Sequence, residues 1–315
     1  FVNSIYMKTI LITGGSGFIG SALCQYYLGK KFKVINFDIQ ENAILTYKKN
    51  YFFIQGDIQI KQNLEKAYKR KVDYVIHLAY INGTQRFYEI PIKILNIAAL
   101  GIVNCCELSS KYKVSKFAVA SSSEVYHNPS KIPTDENELL KISDIFNPRF
   151  SYGGGKIFSE IYSQNFFYEK KIKNLIIFRP HNIYSNKMGN YHVLPQLFQK
   201  INKQIGKSFI KLKIQGTGRE IRSFMHINDF VKAFDLVFFS KHKNGIFNIG
   251  NDDPITIAAL VKKISKLIKK KIVISNEKLK EGSPPIRLPD ITKINKLGYK
   301  QSISLNDGLK SFLQK

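Results

Sequence analysis

The chain has 315 residues, 44% of them hydrophobic, and a formal net charge of +26; at roughly 150 residues per domain this predicts two domains or one large α/β unit with a sizeable core. No run of about 18 or more apolar residues and no basic-then-apolar leader occurs, so neither a membrane span nor a secretory signal is expected, and the chain reads as soluble and cytoplasmic. The basic excess is mostly lysine spread over every segment, which reads as a solvated surface attractive to polyanionic substrates; no nucleic-acid or membrane partner is expected.

The residues before Met7 precede the first periodic strand and are set aside. From there, short apolar runs at 9–12, 34–37, 51–54, 74–78 and 117–120 alternate with helical stretches at 18–28, 58–70, 91–112 and 152–169, and a further strand is expected at 175–178. Continuous apolar runs of that length are what a parallel sheet covered on both faces requires, so the fold class is α/β, a Rossmann-type doubly wound parallel sheet. Past Pro180 the rhythm loosens into short units broken by Gly and Pro. A cofactor domain over 7–180 is therefore expected, with a smaller α/β substrate domain over 181–315, interleaved with returns to the first.

The first strand runs into Thr13-Gly14-Gly15-Ser16-Gly17-Phe18-Ile19-Gly20. Glycines there permit a tight turn and close backbone approach to a pyrophosphate, which then sits on free N–H groups at a helix N-terminus. Asp38 ends the second strand, where a carboxylate accepts from ribose hydroxyls and repels a 2′-phosphate, so the expected cofactor is NAD. Asp57, followed by Ile58, could meet the adenine or cap the next helix. Cys24, Cys105 and Cys106 match no ligand spacing and the six histidines are scattered, so buried thiols and no catalytic metal are expected.

Ser121-Ser122-Ser123-Glu124-Val125-Tyr126 leaves the fifth strand at its carboxyl end, where open parallel sheets bind ligands. Tyr152 and Lys156 share one helix face. A cation beside the phenol, with a positively charged nicotinamide nearby, would bring it toward neutral pH and make Tyr152 a candidate base. The same spacing also serves ordinary packing.

With these come His77-Leu78-Ala79, Arg179-Pro180-His181-Asn182-Ile183-Tyr184, Gly218 to Phe224, and Arg287 with Asp290 before Leu297-Gly298-Tyr299. In this order the motifs resemble the extended short-chain dehydrogenase/reductases, specifically the NAD-dependent nucleotide-sugar epimerase, dehydratase and decarboxylase family. The resemblance implies Tyr152 as base, Lys156 on the nicotinamide ribose and Ser122 as proton relay. It also implies a nucleotide-diphosphate sugar as substrate, met by Asn182, Arg222 and Arg287, and a homodimer through the two long helices. Guanidinium forks suit the diphosphate, although each arginine could equally be an ordinary ion pair. The loop Tyr80 to Arg86, with Thr84, and the segment 188–198 are expected to line the pocket.

The shared first step would make a 4-keto sugar, and Glu124 would decide its fate. By the resemblance, simple 4-epimerases carry small or apolar residues there, whereas 4,6-dehydratases and UDP-glucuronate decarboxylases carry a pair like Ser123-Glu124. Glu124 is thus expected to take the C5 proton in a dehydratase, with 4-epimerase and decarboxylase as alternatives; it could also be a structural acceptor, and the fold could bind NAD without turnover. The family pattern is broken by Gly153-Gly154-Gly155, which costs up to ~1 kcal/mol per glycine against alanine in a helix. His127 and Ser185 replace usual glycines, so those loops are expected to differ in shape.

Overall fold

The computed structural model describes residues 7–42, 45, 48–189, 192–277 and 282–313. The leading six residues and positions 190–191, inside the segment expected to line the pocket, lie outside them. The first half runs β1 (Thr9–Thr13), α1 (Phe18–Gly29), β2 (Lys33–Asp38), β3 (Tyr51–Gln55), α2 (Lys61–Tyr68), β4 (Tyr74–His77), α3 (Thr84–Glu89), α4 (Pro91–Lys111), β5 (Lys116–Ala120), a 3₁₀ turn (Ser123–Tyr126), α5 (Phe150–Tyr168) and β6 (Leu175–Pro180). The second half runs β7 (Ile183–Tyr184), α6 (Val193–Asn202), β8 (Ile210–Gln215), β9 (Ile221–Arg222), β10 (Met225–His226), α7 (Ile227–Phe238), β11 (Asn244–Ile249), β12 (Ile255–Thr256), α8 (Ile257–Ile268), β13 (Ile272–Glu277), β14 (Ile286–Arg287), α9 (Thr292–Lys296) and α10 (Leu305–Lys310).

Seven strands form the central sheet in the order β11-β6-β5-β4-β1-β2-β3, and every pairing in it is parallel. β1 shows why the sequence had to be apolar without a break. Ile10 and Ile12 enter the core that holds Leu23, Phe178 and Phe230, while Leu11 enters the opposite core with Ile35, Val75 and Phe117. Each such side chain contributes about 1.5–3 kcal/mol on burial, so a polar residue on either face would be costly. The chain order reverses between β1 and β4, which opens a crevice at their carboxyl ends.

α4 is, among the described residues, the one helix long and apolar enough to cross a membrane, but 56% of its apolar window is buried. It lies against α2, β4 and α5, so its composition serves a protein core. The later elements build a second core from α6, β8, β13 and α8, including Leu194, Phe198, Leu212 and Leu260. β8 alternates buried and exposed residues, the pattern of a sheet with one wet face. β9 and β14 pair in parallel with Arg222 opposite Arg287, which sets two arginines of the expected substrate site side by side.

The Gly153-Gly154-Gly155 run sits in the first turns of α5, and its three positions differ. A Cβ on Gly155 would lie 2.7 Å from Ala98 Cβ of α4 and 2.2 Å from the Tyr80 hydroxyl, whereas one on Gly154 would meet only Ile142 at 3.8 Å. Close approach of the two helices therefore requires the third glycine, not the second. Gly154→Ala should be neutral or stabilise by up to ~1 kcal/mol in urea unfolding, while Gly155→Ala should destabilise by about 1–3 kcal/mol through overpacking. Equal midpoints for the two variants would overturn this account.

Candidate active site

The glycine loop is built for a ligand at the β1/β4 crevice. Gly14 has φ +72°, and a Cβ there would fall 2.7 Å from the Ala79 backbone nitrogen; one on Gly20 would fall 2.1 Å from the Gly14 carbonyl oxygen. Gly17 precedes α1, which has neither a side-chain cap nor an acidic residue in its first turn, so the N–H groups of Phe18 and Ile19 at its start are open to an anion. Thr13 ties the crevice shut below: its hydroxyl lies 2.8 Å from His77 Nδ1 and accepts from the Ala79 N–H, and the Leu78 N–H donates to its carbonyl. These features fit the pyrophosphate of a dinucleotide.

Asp38 closes the loop from the β2 side, accepting from the Ser16 N–H at 3.0 Å and the Ile39 N–H at 2.7 Å. Burial raises its carboxyl from the ordinary range, against the lowering effect of those backbone donors. Asp57 does not cap the next helix: α2 begins only at Lys61 after Ile60, and Asp57 Oδ1 instead accepts from the Gln59 N–H at 2.9 Å. Ile58 is buried beneath it and faces Gly101 of α4.

Tyr152 and Lys156 lie on one face of α5, as the spacing predicts. Tyr152 is buried, its ring stacked on Phe87 with centroids 4.6 Å apart and edge-on to Tyr80 at 5.1 Å. Lys156 donates to the Ala120 carbonyl at 2.7 Å, and its ammonium sits 3.8 Å from the Tyr80 ring centroid but 5.8 Å from that of Tyr152. Burial pushes the Tyr152 phenol well up, with the Ser122 hydroxyl and Arg287 opposing this and Glu124 adding to it. Lys156 itself is lowered to about 7 by burial, against the pull of Glu160. Tyr80 belongs to the loop expected to line the pocket, whereas Phe87 and Glu160 went unread in the sequence; a phenylalanine and a glutamate in helices carry no distinguishing local signal.

Ser122 caps the 3₁₀ turn, its hydroxyl accepting from the Glu124 N–H at 3.2 Å, and Ser123 is buried behind it. The same turn thus presents a hydroxyl to Tyr152 and a carboxylate beside it. Glu124 is clamped: Arg287 Nη2 donates to Oε1 at 2.8 Å, and Arg149 Nη2 reaches both oxygens at 3.3 Å. Burial alone would raise its carboxyl, but Arg287, then Arg149, with Arg222 beyond them, hold it below the usual glutamate range. Next along, His127 keeps φ +49°, the left-handed region that favours glycine, so the backbone there keeps a glycine-like turn despite the side chain. Ser185, at the other replaced glycine, is buried and accepts from the Lys187 N–H at 3.1 Å.

The expected substrate residues fare unevenly. Arg287 points into the site, with its Nε buried and without a partner. Arg222 is not a free fork, since it donates to the carbonyls of Pro284, Pro285 and Ile221 at 2.8–3.0 Å, and burial followed by repulsion from Arg287 lowers it to about 9. Asn182, at φ +43°, gives its amide to the Ser223 carbonyl. Thr84 opens α3 after Gly83 and is half-buried.

Beneath the site, a buried Arg179–Glu160 pair at 2.6 Å joins β6 to α5. Arg179 also donates to the Tyr126 hydroxyl at 2.7 Å, which in turn donates to Asn248 Oδ1 of β11. One network therefore fixes the helix of Tyr152 and the turn of Glu124 to the same sheet.

A family model described as the NAD dependent epimerase/dehydratase family matches residues 10–250. A dTDP-D-glucose 4,6-dehydratase of Dictyostelium discoideum is 32% identical over 83% of this chain, and the match spans 62% of that protein's length. A putative UDP-glucose 4-epimerase of Methanocaldococcus jannaschii is 31% identical over 96% of both chains. UDP-glucuronic acid decarboxylase 1 of Arabidopsis thaliana is 26% identical over 95% of this chain and 68% of its own. Among solved structures, the UDP-glucose 4-epimerase of Thermotoga maritima with UDP-glucose superposes with a TM-score of 0.84 at 25% identity, covering 97% of each chain.

Proposed function

We propose that this chain, which belongs to the NAD-dependent epimerase/dehydratase family, oxidises a nucleotide-linked sugar at C4 and then works on the neighbouring carbon as a 4,6-dehydratase. The observation that carries this reading is the Glu124 carboxylate, held ionised on the turn that also presents Ser122 to Tyr152. NAD would supply the hydride acceptor and donor. Tyr152 takes the C4 hydroxyl proton with the Ser122 hydroxyl as relay, while Lys156, anchored on Ala120, would reach the nicotinamide ribose. The new ketone acidifies the C5–H; Glu124 would take that proton and pass it to the departing C6 hydroxyl, which leaves as water, and return of the C4 hydride to C6 with a solvent proton to C5 would complete the 4-keto-6-deoxy sugar. Asp38 and the loop of Gly14, Gly17 and Gly20 would hold the adenosine half of the cofactor.

Arg222 and Arg287 would meet the substrate's diphosphate. They are opposed in register, repel each other, and leave the Arg287 Nε unpartnered, a situation that a dianion relieves. A second reading, 4-epimerase, is favoured by one fact: both Glu124 oxygens are already engaged by arginines, as a structural acceptor's would be.

The test is incubation of the purified protein with UDP-, GDP-, dTDP- and CDP-hexoses in deuterated buffer, followed by NMR and by absorbance at ~340 nm. A 4-keto-6-deoxy product with deuterium at C5 is expected for one of them. A C4 epimer without C5 deuterium would replace the dehydratase by the epimerase, and no product at all would sink the enzyme reading.

The homodimer belongs to this proposal. Ile92, Leu95 and Leu100 of α4 and Phe158 and Ile161 of α5 are exposed, Ile92 by 67% and Ile161 by 56%, on two helices that already pack together. A second copy of the same pair would cover them. Phe158→Glu combined with Ile161→Glu should give a monomer in sedimentation equilibrium at micromolar concentration. An unchanged dimer mass would place the interface elsewhere. The three free, buried cysteines support a reducing, cytoplasmic setting.

A further inference from the structure

The two arginines on Glu124 are built differently. Arg149 is 5% exposed and its backbone N–H donates to Asn147 Oδ1 at 3.0 Å. It immediately precedes α5, three residues before Tyr152. Gly282, at φ +80°, covers it so closely that a Cβ there would come within 3.0 Å of Arg149 Cδ. Its guanidinium reaches the two carboxylate oxygens at the same distance, 3.3 Å. Arg287 instead stands on the two-residue strand β14, beside Arg222, and holds one oxygen of Glu124 while its Nε is buried and unpartnered. Arg287 therefore keeps a buried donor without a partner, next to a second arginine. A diphosphate offers it two charges and several oxygens where Glu124 offers one charge.

We propose that Arg149 is a positioning residue that holds Glu124 in place when a substrate diphosphate draws Arg287 away from it. The inference rests on the nucleotide-sugar reading above and deepens it. Glu124 faces Arg149 and Tyr152 from α5, Arg287 from β14, Arg222 from β9 and His127 from its own turn. If Arg287 and Arg222 turn to phosphate oxygens, Arg149 is the cation left on the carboxylate. Without it, burial would favour uptake of a proton, and the carboxylate would lose its aim. Because Arg149 and Tyr152 belong to the start of one helix, Glu124 would move with the base and not with the nucleotide-binding strands.

The experiment follows Glu124 directly, independent of turnover. Protein loaded with NAD and labelled with ¹³C at glutamate side-chain carboxyls is titrated with and without saturating inorganic pyrophosphate, the Glu124 signal being assigned by its loss in Glu124→Gln. In the unsubstituted protein the midpoint should stay below the ordinary glutamate range in both conditions. In Arg149→Met with pyrophosphate it should rise by about 1–3 pH units, and Arg149→Lys should recover most of that change. In Arg287→Met, where Arg149 is intact, the midpoint should remain low, so the proposal can be tested even if Arg149→Met does not fold. An unmoved midpoint in Arg149→Met, or one at or above the ordinary glutamate value in Arg287→Met, overturns the role of Arg149 while leaving the nucleotide-sugar reading in place. Failure of pyrophosphate to bind the unsubstituted protein overturns both.

Discussion

Tyr152→Phe should lower turnover by about 10²–10⁴-fold while NAD binds with nearly unchanged affinity. The expectation follows from how the residue is held. Its ring lies between Phe87 and Tyr80, so a phenylalanine keeps the same packing and removes only the hydroxyl. That hydroxyl is the group that meets Ser122, and no second phenol replaces it: the Tyr80 hydroxyl is directed at the Tyr152 carbonyl oxygen, 3.5 Å away. The glycine loop and Asp38 lie on other elements and do not touch the deleted atom. Calorimetric titration with NAD separates the two effects, and kcat is read with whichever nucleotide-sugar the panel identifies. Turnover within a few-fold of normal would remove Tyr152 from the chemistry; loss of NAD affinity would show that the substitution disturbed the fold.

The parts of this site that could be read from the chain are those in which local signals agree. At residues 9–20 an apolar strand, a glycine loop and an amphipathic helix follow one another, and the cradle was legible because each is a neighbour of the next. Tyr152 and Lys156 were legible for the same reason, being four apart on one helix. Arg149 was not. Its partner Glu124 is 25 residues away, Arg287 reaches Glu124 across 163, and an arginine after Asn147-Pro148 looks like any loop cation. Arg222 shows the same limit: the carbonyls that engage its guanidinium come from Pro284 and Pro285, which only pairing of β9 with β14 brings near.

For Lys156 the helix face was legible but not the direction of the side chain. Helical spacing put it on the right face, while the Ala120 carbonyl and the Tyr80 ring, both from outside α5, drew its ammonium aside. The strand β11 was missed too, because Asn244 and Gly245 begin it and its place depends on docking against β6.

Glu124→Gln should abolish deuterium incorporation at C5 yet leave oxidation at C4. Glutamine keeps the shape of the side chain and its reach to Arg149 and Arg287, but it has no carboxylate to accept the C5 proton. In the unsubstituted protein the carboxyl is held below the ordinary glutamate range. A group lowered in this way is ionised above its folded value and is protonated only as pH falls through it. C5 exchange should therefore persist to lower pH than a free glutamate would allow, and its acid limb should vanish in the variant. Deleting the charge also leaves two guanidiniums facing each other, which argues for measuring urea unfolding alongside: removal of one partner from a fully buried pair costs about 3–5 kcal/mol, and Glu124, whose side chain is 18% exposed, should lie toward or below the lower end. Loss of both C4 oxidation and C5 exchange in a folded variant would make Glu124 a structural acceptor and favour the epimerase. Exchange at C5 that survives the substitution would assign the proton transfer to another group. Loss of C5 exchange alone, in a protein that still oxidises C4, is the result that the clamp between Arg149 and Arg287 supports, because those contacts hold Glu124 as an aimed, ionised base on the turn that also carries Ser122.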